Sequence, residues 1–173
     1  FKRIDENAQI NQLKVMKAFC DNKVSEAHLL PTTGYGYDDL GRDTLDKVYA
    51  QVFEAEDALV RHSFVNGTHT IATALYAVLR PGDTLLAVTG KPYDTLEEAI
   101  GISGESGRGS LKDFGVNYEE IPLLENGQPD YGKIREILTN KKIKAAAIQR
   151  SKGYGTRPTY SAEKIGEIVS FIK

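Results

Sequence analysis

The stretch FVNGTHTIATALYAVL, residues 64–79, decides how the chain is built. Its Asn66-Gly67 pair is the strongest short signal for a β-hairpin turn. The residues that follow do not alternate as a second strand would. Instead, apolar side chains recur at helical spacing, namely at Ile71, Ala74, Leu75, Val78 and Leu79. The pair therefore predicts a connection from a strand over ALVRHSFV, residues 58–65, to a helix that begins at Thr68 or its neighbour.

A helix start of this kind can bind an anion. Its first amides have no acceptor within the helix and carry partial positive charge, and a glycine lets a ligand approach the backbone. We therefore predict a phosphate or carboxylate cradle made by the amides of Gly67, Thr68 and His69, with the Thr68 hydroxyl as a further donor. The alternative is that Asn66 or Thr68 only caps the helix and the loop binds no ligand.

Helices and short apolar strands alternate along the rest of the chain. The patterns predict strands over 84–88, 117–124 and 143–149, and helices over 5–20, 43–53, 92–101, 130–138 and 161–173, the last with a Ser161 cap. The Gly/Ser-rich run GISGESGRGS, residues 101–110, and LLPTTGYGYDD, residues 29–39, are predicted loops. This alternation predicts an α/β fold with a mainly parallel sheet between helices.

Polar and aromatic side chains follow the ends of these strands. In a parallel sheet, ligands bind at the carboxyl ends of the strands. Tyr93 follows the strand TLLAV, and its ring could stack on a flat ligand or could simply pack against the protein. Gln149, Arg150 and Ser151 lie at the end of the strand IKAAAIQ. These residues are expected on the same rim as Gly67.

Composition and charge exclude several classes of function. The 173 residues are 40% hydrophobic, and 22 basic and 24 acidic residues leave a net charge of −2 without long blocks of either sign. This pattern predicts neither a nucleic acid nor a membrane as partner. The three histidines have no metal-ligand spacing, so no metal site is expected. The single cysteine, Cys20, lies in an apolar-periodic segment and is expected in the core, and the chain is expected to be cytoplasmic.

The two ends predict that the chain is an N-terminal portion of a longer polypeptide. It begins at Phe1 without an initiator methionine. It stops at Lys173 within the last helical pattern, before any C-terminal cap.

Several motifs resemble those of the aluminium-resistance proteins, which are pyridoxal-phosphate proteins similar to methionine gamma-lyase and cystathionine beta-lyase. The motifs are GYGYDDLGRDTLD (34–46), NGTHT (66–70), LRPGD (79–83), LLAVTGKPYDTLEE (85–98) and IQRSKGY (148–154). The resemblance extends from about Leu29 to Lys173. It implies the aspartate-aminotransferase-like fold, pyridoxal-phosphate fold type I. Residues 1–42 would be an N-terminal helix and arm, and residues 43–173 the first part of the large cofactor domain.

The resemblance also implies a cofactor site. The start of the helix at Gly67, Thr68 and His69 would hold the cofactor phosphate, and Tyr93 would stack on the pyridine ring. Further possible cofactor or substrate contacts are Tyr35, Tyr37, Arg42, Asn66, Arg150 and Ser151. Arg42 could instead form a structural ion pair with Asp38, Asp39 or Asp43. The Schiff-base lysine is expected beyond Lys173, so no catalytic residue is assigned.

By the same resemblance, the function would be a pyridoxal-phosphate-dependent carbon–sulfur lyase that performs beta or gamma elimination on a sulfur-containing amino acid. A homodimer or homotetramer is expected. The loop at 101–110 and the arm before Leu29 are predicted to become ordered only against a partner or ligand. Three alternatives remain: another activity on this fold such as an aminotransferase, a non-catalytic relative, and a nucleotide-binding module. The last lacks a clear ribose-binding acid, and direct binding of aluminium lacks a carboxylate cluster.

Overall fold

The computed structural model describes residues 1–32, 35 and 37–173, which form two compact units, Phe1–Phe64 and Val65–Lys173. The first unit is helical. It contains α1 (Lys2–Asp21), a short 3₁₀ helix (Glu26–Leu29) and α2 (Leu40–Phe53). Asp39 caps α2 by accepting a hydrogen bond from the Arg42 amide at 3.0 Å. Among the described residues, no helix is long and apolar enough to cross a membrane.

The predicted strand over 58–65 is wrong. No strand is present there among the described residues, and the chain is instead held by Asp46 of α2. The Asp46 carboxylate accepts a hydrogen bond from the Val60 amide at 2.8 Å and pairs with the Arg61 guanidinium at 2.7 Å. Both contacts lower the pKa of Asp46 below its ordinary value, with the Arg61 hydrogen bond as the largest cause. A strand also needs a neighbouring strand for its hydrogen bonds, and the described residues of the first unit contain no strand.

The expected core position of Cys20 is also wrong, because the cysteine is exposed. In α1, Ala18 is fully buried and is the buried residue of that helix. Two residues along an α-helix turn the side-chain direction by roughly 200°, so Cys20 lies on the opposite side from Ala18.

The second unit confirms the alternating helices and the parallel sheet. Its strands are β1 (Thr84–Ala87), β2 (Asn117–Glu120) and β3 (Ala145–Ala147), in the order β2-β1-β3 with both pairings parallel. Helix α3 (Gly67–Val78) precedes β1, α4 (Asp94–Ile100) and α5 (Tyr131–Asn140) connect the strands, and α6 (Ala162–Ile172) follows β3. The Ser161 cap of α6 is confirmed, since its side chain accepts from the Lys164 amide at 3.2 Å.

The central strand β1 separates two apolar cores. Consecutive side chains in a strand point to opposite faces of the sheet. Leu85 accordingly packs with residues of α3 and α4, whereas Leu86 packs with residues of α5 and α6. The sheet therefore has helices on both faces, and the ends of its strands remain available for a ligand.

Candidate functional site

The predicted start of α3 is confirmed, and Asn66 caps it. The Asn66 side-chain oxygen accepts a hydrogen bond from the His69 amide at 2.8 Å, and its carbonyl accepts from the Thr70 amide at 3.1 Å. Asn66 is thus the helix cap, and whether the loop also binds a ligand stays a prediction. The cap also uses the His69 amide, one of the three that were predicted to hold an anion.

The other two amides remain available at this helix start. Among the described residues, no acceptor contacts the amides of Gly67 and Thr68. Gly67 does not have a positive φ, and a Cβ added to it would meet nothing within 4 Å. Neither backbone strain nor packing within the described chain therefore requires glycine here. The space above Gly67 is open to a ligand, which suits an anion at a helix N-terminus.

The start of α4 lies beside the start of α3. The Thr68 and Thr95 hydroxyl oxygens are 2.7 Å apart, so one donates to the other. The Thr95 amide donates to the Asp94 carboxylate at 2.8 Å. Helix α4 therefore brings a hydroxyl group to this place, while the Thr95 amide is already bonded to a carboxylate of the same chain.

Tyr93 occupies the N-cap position of α4 and contacts a second aromatic ring. The Tyr154 ring stacks on it, with centroids 5.9 Å apart and an angle of 20° between the planes. Tyr154 raises the pKa of Tyr93, chiefly through a side-chain hydrogen bond. A Cβ at Gly153 would lie 3.1 Å from the Tyr93 ring, so glycine permits this close approach. A flat ligand would use the other face of Tyr93 or would displace Tyr154.

Hydrogen bonds also tie together the ends of β1 and β3. The buried Thr89 hydroxyl accepts from the Gln149 amide at 2.9 Å. The Arg157 guanidinium donates to the carbonyl oxygens of Gln149 and Ser151 at 2.8 and 2.7 Å. The side chain of Arg150 is exposed, and its carbonyl accepts from the Tyr160 amide. Of the three residues predicted at the end of β3, Gln149 takes part in this network through its amide and carbonyl, and Ser151 through its carbonyl.

A cleft of about 720 Å³ lies at the strand ends of the second unit. It is lined by residues at or beyond the ends of the three strands, among them Thr89, Tyr93, Glu120, Gln149 and Tyr154. Gly67 and Thr68 are not part of its lining, and the Thr68–Thr95 contact connects them to α4, whose N-cap residue is Tyr93. The arrangement places anion donors and an aromatic platform at the start of neighbouring helices.

Three predicted contact residues belong to the first unit. Tyr35 and Tyr37 are 82% and 83% exposed. The Arg42 guanidinium contacts the Asp43 carboxylate at 3.2 Å, so one of the predicted ion pairs is present. Of the motif that surrounds them, Thr33, Gly34 and Gly36 lie outside the described residues. A contact of these side chains with a cofactor stays a prediction.

Sequence reasoning missed two residues of the site, Thr95 and Tyr154. Thr95 follows Tyr93 by two positions. A hydroxyl residue in the first turn of a helix, beside an aromatic cap, could have indicated a further hydrogen-bond donor at this site. Tyr154 stands between Gly153 and Gly155. An aromatic residue between two glycines, just after a strand, indicates a close approach of backbone to ring.

The family model of methionine gamma-lyase matches residues 1–173. The chain belongs to the methionine gamma-lyase family. The resemblance inferred from the motifs is thereby confirmed. The donors found in the second unit also fit the cofactor of such proteins, because open amides and hydroxyls suit a phosphate and Tyr93 suits a flat ring.

Similar proteins come from several bacteria. A Listeria innocua structure, of a candidate cystathionine beta-lyase involved in aluminium resistance, is 53% identical with a TM-score of 0.93 over 99% of this chain. A Clostridium novyi carbon–sulfur lyase involved in aluminium resistance is 48% identical with a TM-score of 0.94 over 100% of this chain. The uncharacterised protein YnbB of Bacillus subtilis is 48% identical over 99% of this chain.

This methionine gamma-lyase family chain matches only part of each relative. It spans 42% of the Listeria chain and 41% of the Clostridium novyi and Bacillus subtilis proteins. The chain therefore corresponds to less than half the length of each of these three relatives.

Proposed function

We propose that this chain forms the phosphate- and ring-binding part of a pyridoxal-phosphate-dependent carbon–sulfur lyase with fold type I. The observation that carries the proposal is the start of α3, where two open amides lie beside the helix headed by Tyr93. The membership in the methionine gamma-lyase family supports it. When bound, pyridoxal phosphate supplies an electron sink for negative charge that develops on the α-carbon of an amino acid.

The roles of the chain's own residues follow from their chemistry. The amides of Gly67 and Thr68 would hold the phosphate, helped by the positive end of α3. Tyr93 would orient the ring by stacking. The Thr89–Gln149 hydrogen bond holds the ends of β1 and β3 together beneath the cleft. The lysine that forms the Schiff base and moves protons is predicted beyond Lys173, in the part of the relatives that this chain does not match.

The proposed substrate is a sulfur-containing amino acid that loses its sulfur substituent by beta or gamma elimination. The word lyase in the names of the Listeria and Clostridium novyi relatives supports this choice over an aminotransferase. The predicted division at residue 42 belongs to the same proposal, as do the predicted homodimer or homotetramer and the cytoplasmic location. So does a contact of Tyr35, Tyr37 or Arg42 with a neighbouring subunit's cofactor.

Absorption spectroscopy of the full-length protein tests the cofactor. We expect a visible band that borohydride bleaches, and peptide mapping then locates the modified lysine. A protein that stays colourless with added pyridoxal phosphate would contradict the proposal.

Product analysis tests the reaction on the same preparation. A lyase releases a thiol or sulfide together with ammonia and a keto acid from cystathionine or methionine. Formation of a keto acid only when a second keto acid is added as amino acceptor, without thiol release, would identify an aminotransferase instead. Gly67→Asp is a useful variant, because its weakened cofactor binding should reduce both the band and the product.

A further inference from the structure

One contact joins the two helices of the proposed cofactor site. The hydroxyl oxygens of Thr68 in α3 and Thr95 in α4 are 2.7 Å apart, a normal distance for an O–H···O hydrogen bond. Both helices lie in the second unit. Thr95 comes two residues after Tyr93. The Thr68–Thr95 hydrogen bond therefore links the amides at the start of α3 to Tyr93, whose ring is proposed to stack on the cofactor.

The Thr68–Thr95 pair still has one hydrogen to donate to a ligand. Each threonine hydroxyl has one hydrogen and can accept as well as donate. Their mutual bond uses one of the two hydrogens, and the other remains for a third group. The Asp94 carboxylate accepts from the Thr95 amide, so α4 has a hydroxyl and not this amide to offer an anion. The donors for a phosphate are then the amides of Gly67 and Thr68 and one hydroxyl hydrogen of the pair.

We propose that Thr95 is a positioning residue for the cofactor phosphate. It acts through Thr68, by orienting the hydroxyl of that residue toward the phosphate and by fixing the distance between the α3 amides and Tyr93. This inference rests on the proposed function, because the ligand is the phosphate of pyridoxal phosphate. It adds a residue that the family comparison does not assign.

Both threonines can be replaced without disturbing a core. Thr95 is exposed and Thr68 is only partly buried, so their conversion to valine, which has the same shape, changes little besides the hydrogen bond. A matched control is Thr139→Val. Thr139 lies in α5, and this helix packs on the face of the sheet opposite to α3 and α4. Thr139 is likewise an exposed helical threonine, and its hydroxyl donates to the Arg135 carbonyl of its own helix at 2.8 Å.

The experiment measures cofactor binding by the full-length protein and its Thr68→Val, Thr95→Val, Thr95→Ser and double-valine variants. The readouts are the dissociation constant for pyridoxal phosphate and the ³¹P chemical shift of the bound phosphate. We expect Thr95→Val to weaken binding about tenfold and to move the ³¹P signal. The reason is that the Thr68 hydroxyl would no longer be oriented and would lose its hydrogen bond to the charged phosphate. The double variant should bind no more weakly than Thr68→Val, because Thr95 acts through Thr68. Thr95→Ser should restore both readouts, and Thr139→Val should change neither.

The outcomes separate this inference from the proposed function. If the wild-type protein does not bind pyridoxal phosphate, the proposed function fails and the role of Thr95 fails with it. If the wild type binds but Thr95→Val keeps both its affinity and its ³¹P shift, only the inference is overturned. Additive losses in the double variant, or failure of Thr95→Ser to restore binding, would overturn it as well.

Discussion

Two glycine-containing turns of the second unit differ in how their amides are used. At the start of α3, the amides of Gly67 and Thr68 have no acceptor among the described residues. In the loop at 101–110, the amides of Gly107, Gly109 and Ser110 all donate to the Asp113 carboxylate, at 2.9, 3.0 and 3.0 Å. These bonds hold the pKa of Asp113 well below its ordinary value, the Gly107 bond being the largest cause.

Glycine content alone therefore does not indicate an anion site. The loop at 101–110 has more glycines than the turn at 66–68, yet a carboxylate of the same chain already fills its cluster of amides. The α3 turn has a single glycine and leaves its first amides open. A backbone cluster that the chain satisfies by itself has little to offer to a ligand, because the ligand would have to displace an intramolecular acceptor.

The largest expected effect comes from giving the α3 turn a carboxylate of its own. Gly67→Asp would place a negative charge where the phosphate is proposed to bind. The carboxylate could then accept from the open amides, as the Asp113 carboxylate accepts from the amides of the loop at 101–110. We expect the dissociation constant for pyridoxal phosphate to rise about 100-fold, from the loss of charge-assisted hydrogen bonds and from repulsion. Titration of the full-length protein with the cofactor measures this.

The folded state should respond in the opposite direction, because a carboxylate in the first turn of a helix is favourable. Thermal unfolding of the cofactor-free Gly67→Asp variant should therefore occur no earlier than that of the wild type. Gly67→Asn is the neutral control of nearly equal size and should weaken binding less. Unchanged affinity in Gly67→Asp would show that the phosphate does not lie at this turn.

Alanine substitutions should separate the two turns in a second way. Gly109 has a φ of 89°, which is unfavourable for other residues, so Gly109→Ala should destabilise the fold by about 1–3 kcal/mol. Gly67 has open space and no positive φ, so Gly67→Ala should cost no stability, although it narrows the approach to the backbone. Urea unfolding of the cofactor-free protein gives the first quantity, and cofactor titration gives the second.

Only Gly67→Ala is expected to weaken cofactor binding, and only Gly109→Ala is expected to shift the unfolding midpoint. A loss of stability in both variants, with unchanged binding, would mean that the two turns do not differ as the structure indicates.

The smallest expected effect is the response of the loop at 101–110 to low pH. The pKa of Asp113 is lowered in the fold, so its charged form stabilises the loop above the unfolded-state value, and this contribution is lost as the pH falls through the lower folded-state value. The carboxyl carbon of Asp113 should therefore titrate below the ordinary 3.8 in an NMR experiment. Amide protection at Gly107, Gly109 and Ser110 should persist down to that lower pH.

The control is Asp113→Ala, which should remove protection from the same three amides at neutral pH and leave the amide of Leu86 in β1 protected. A midpoint at or above 3.8 for Asp113 would contradict the hydrogen-bonded loop. Such a result would favour the original prediction that this segment becomes ordered only against a partner or ligand.

Local patterns were sufficient for most of the second unit. The apolar periods predicted α3 to α6, the three strands and their parallel pairing, because each pattern reports which side of an element is buried. They failed at 58–65, because the described residues of the first unit contain no strand with which this segment could pair. They also failed at Cys20, because an apolar stripe does not show which of its residues meets the neighbouring helix.

The site divides in the same way. The sequence by itself determined that a helix begins beside Gly67 and that Tyr93 follows a strand end, since caps and breakers act over a few residues. The contact of Thr68 with Thr95 and the stacking of Tyr154 on Tyr93 could be seen only in the folded chain. The same is true of the Asp113 carboxylate, which fills the loop richer in glycine. Each of these contacts joins side chains from separate segments, and their distances depend on how helices and loops pack around the sheet.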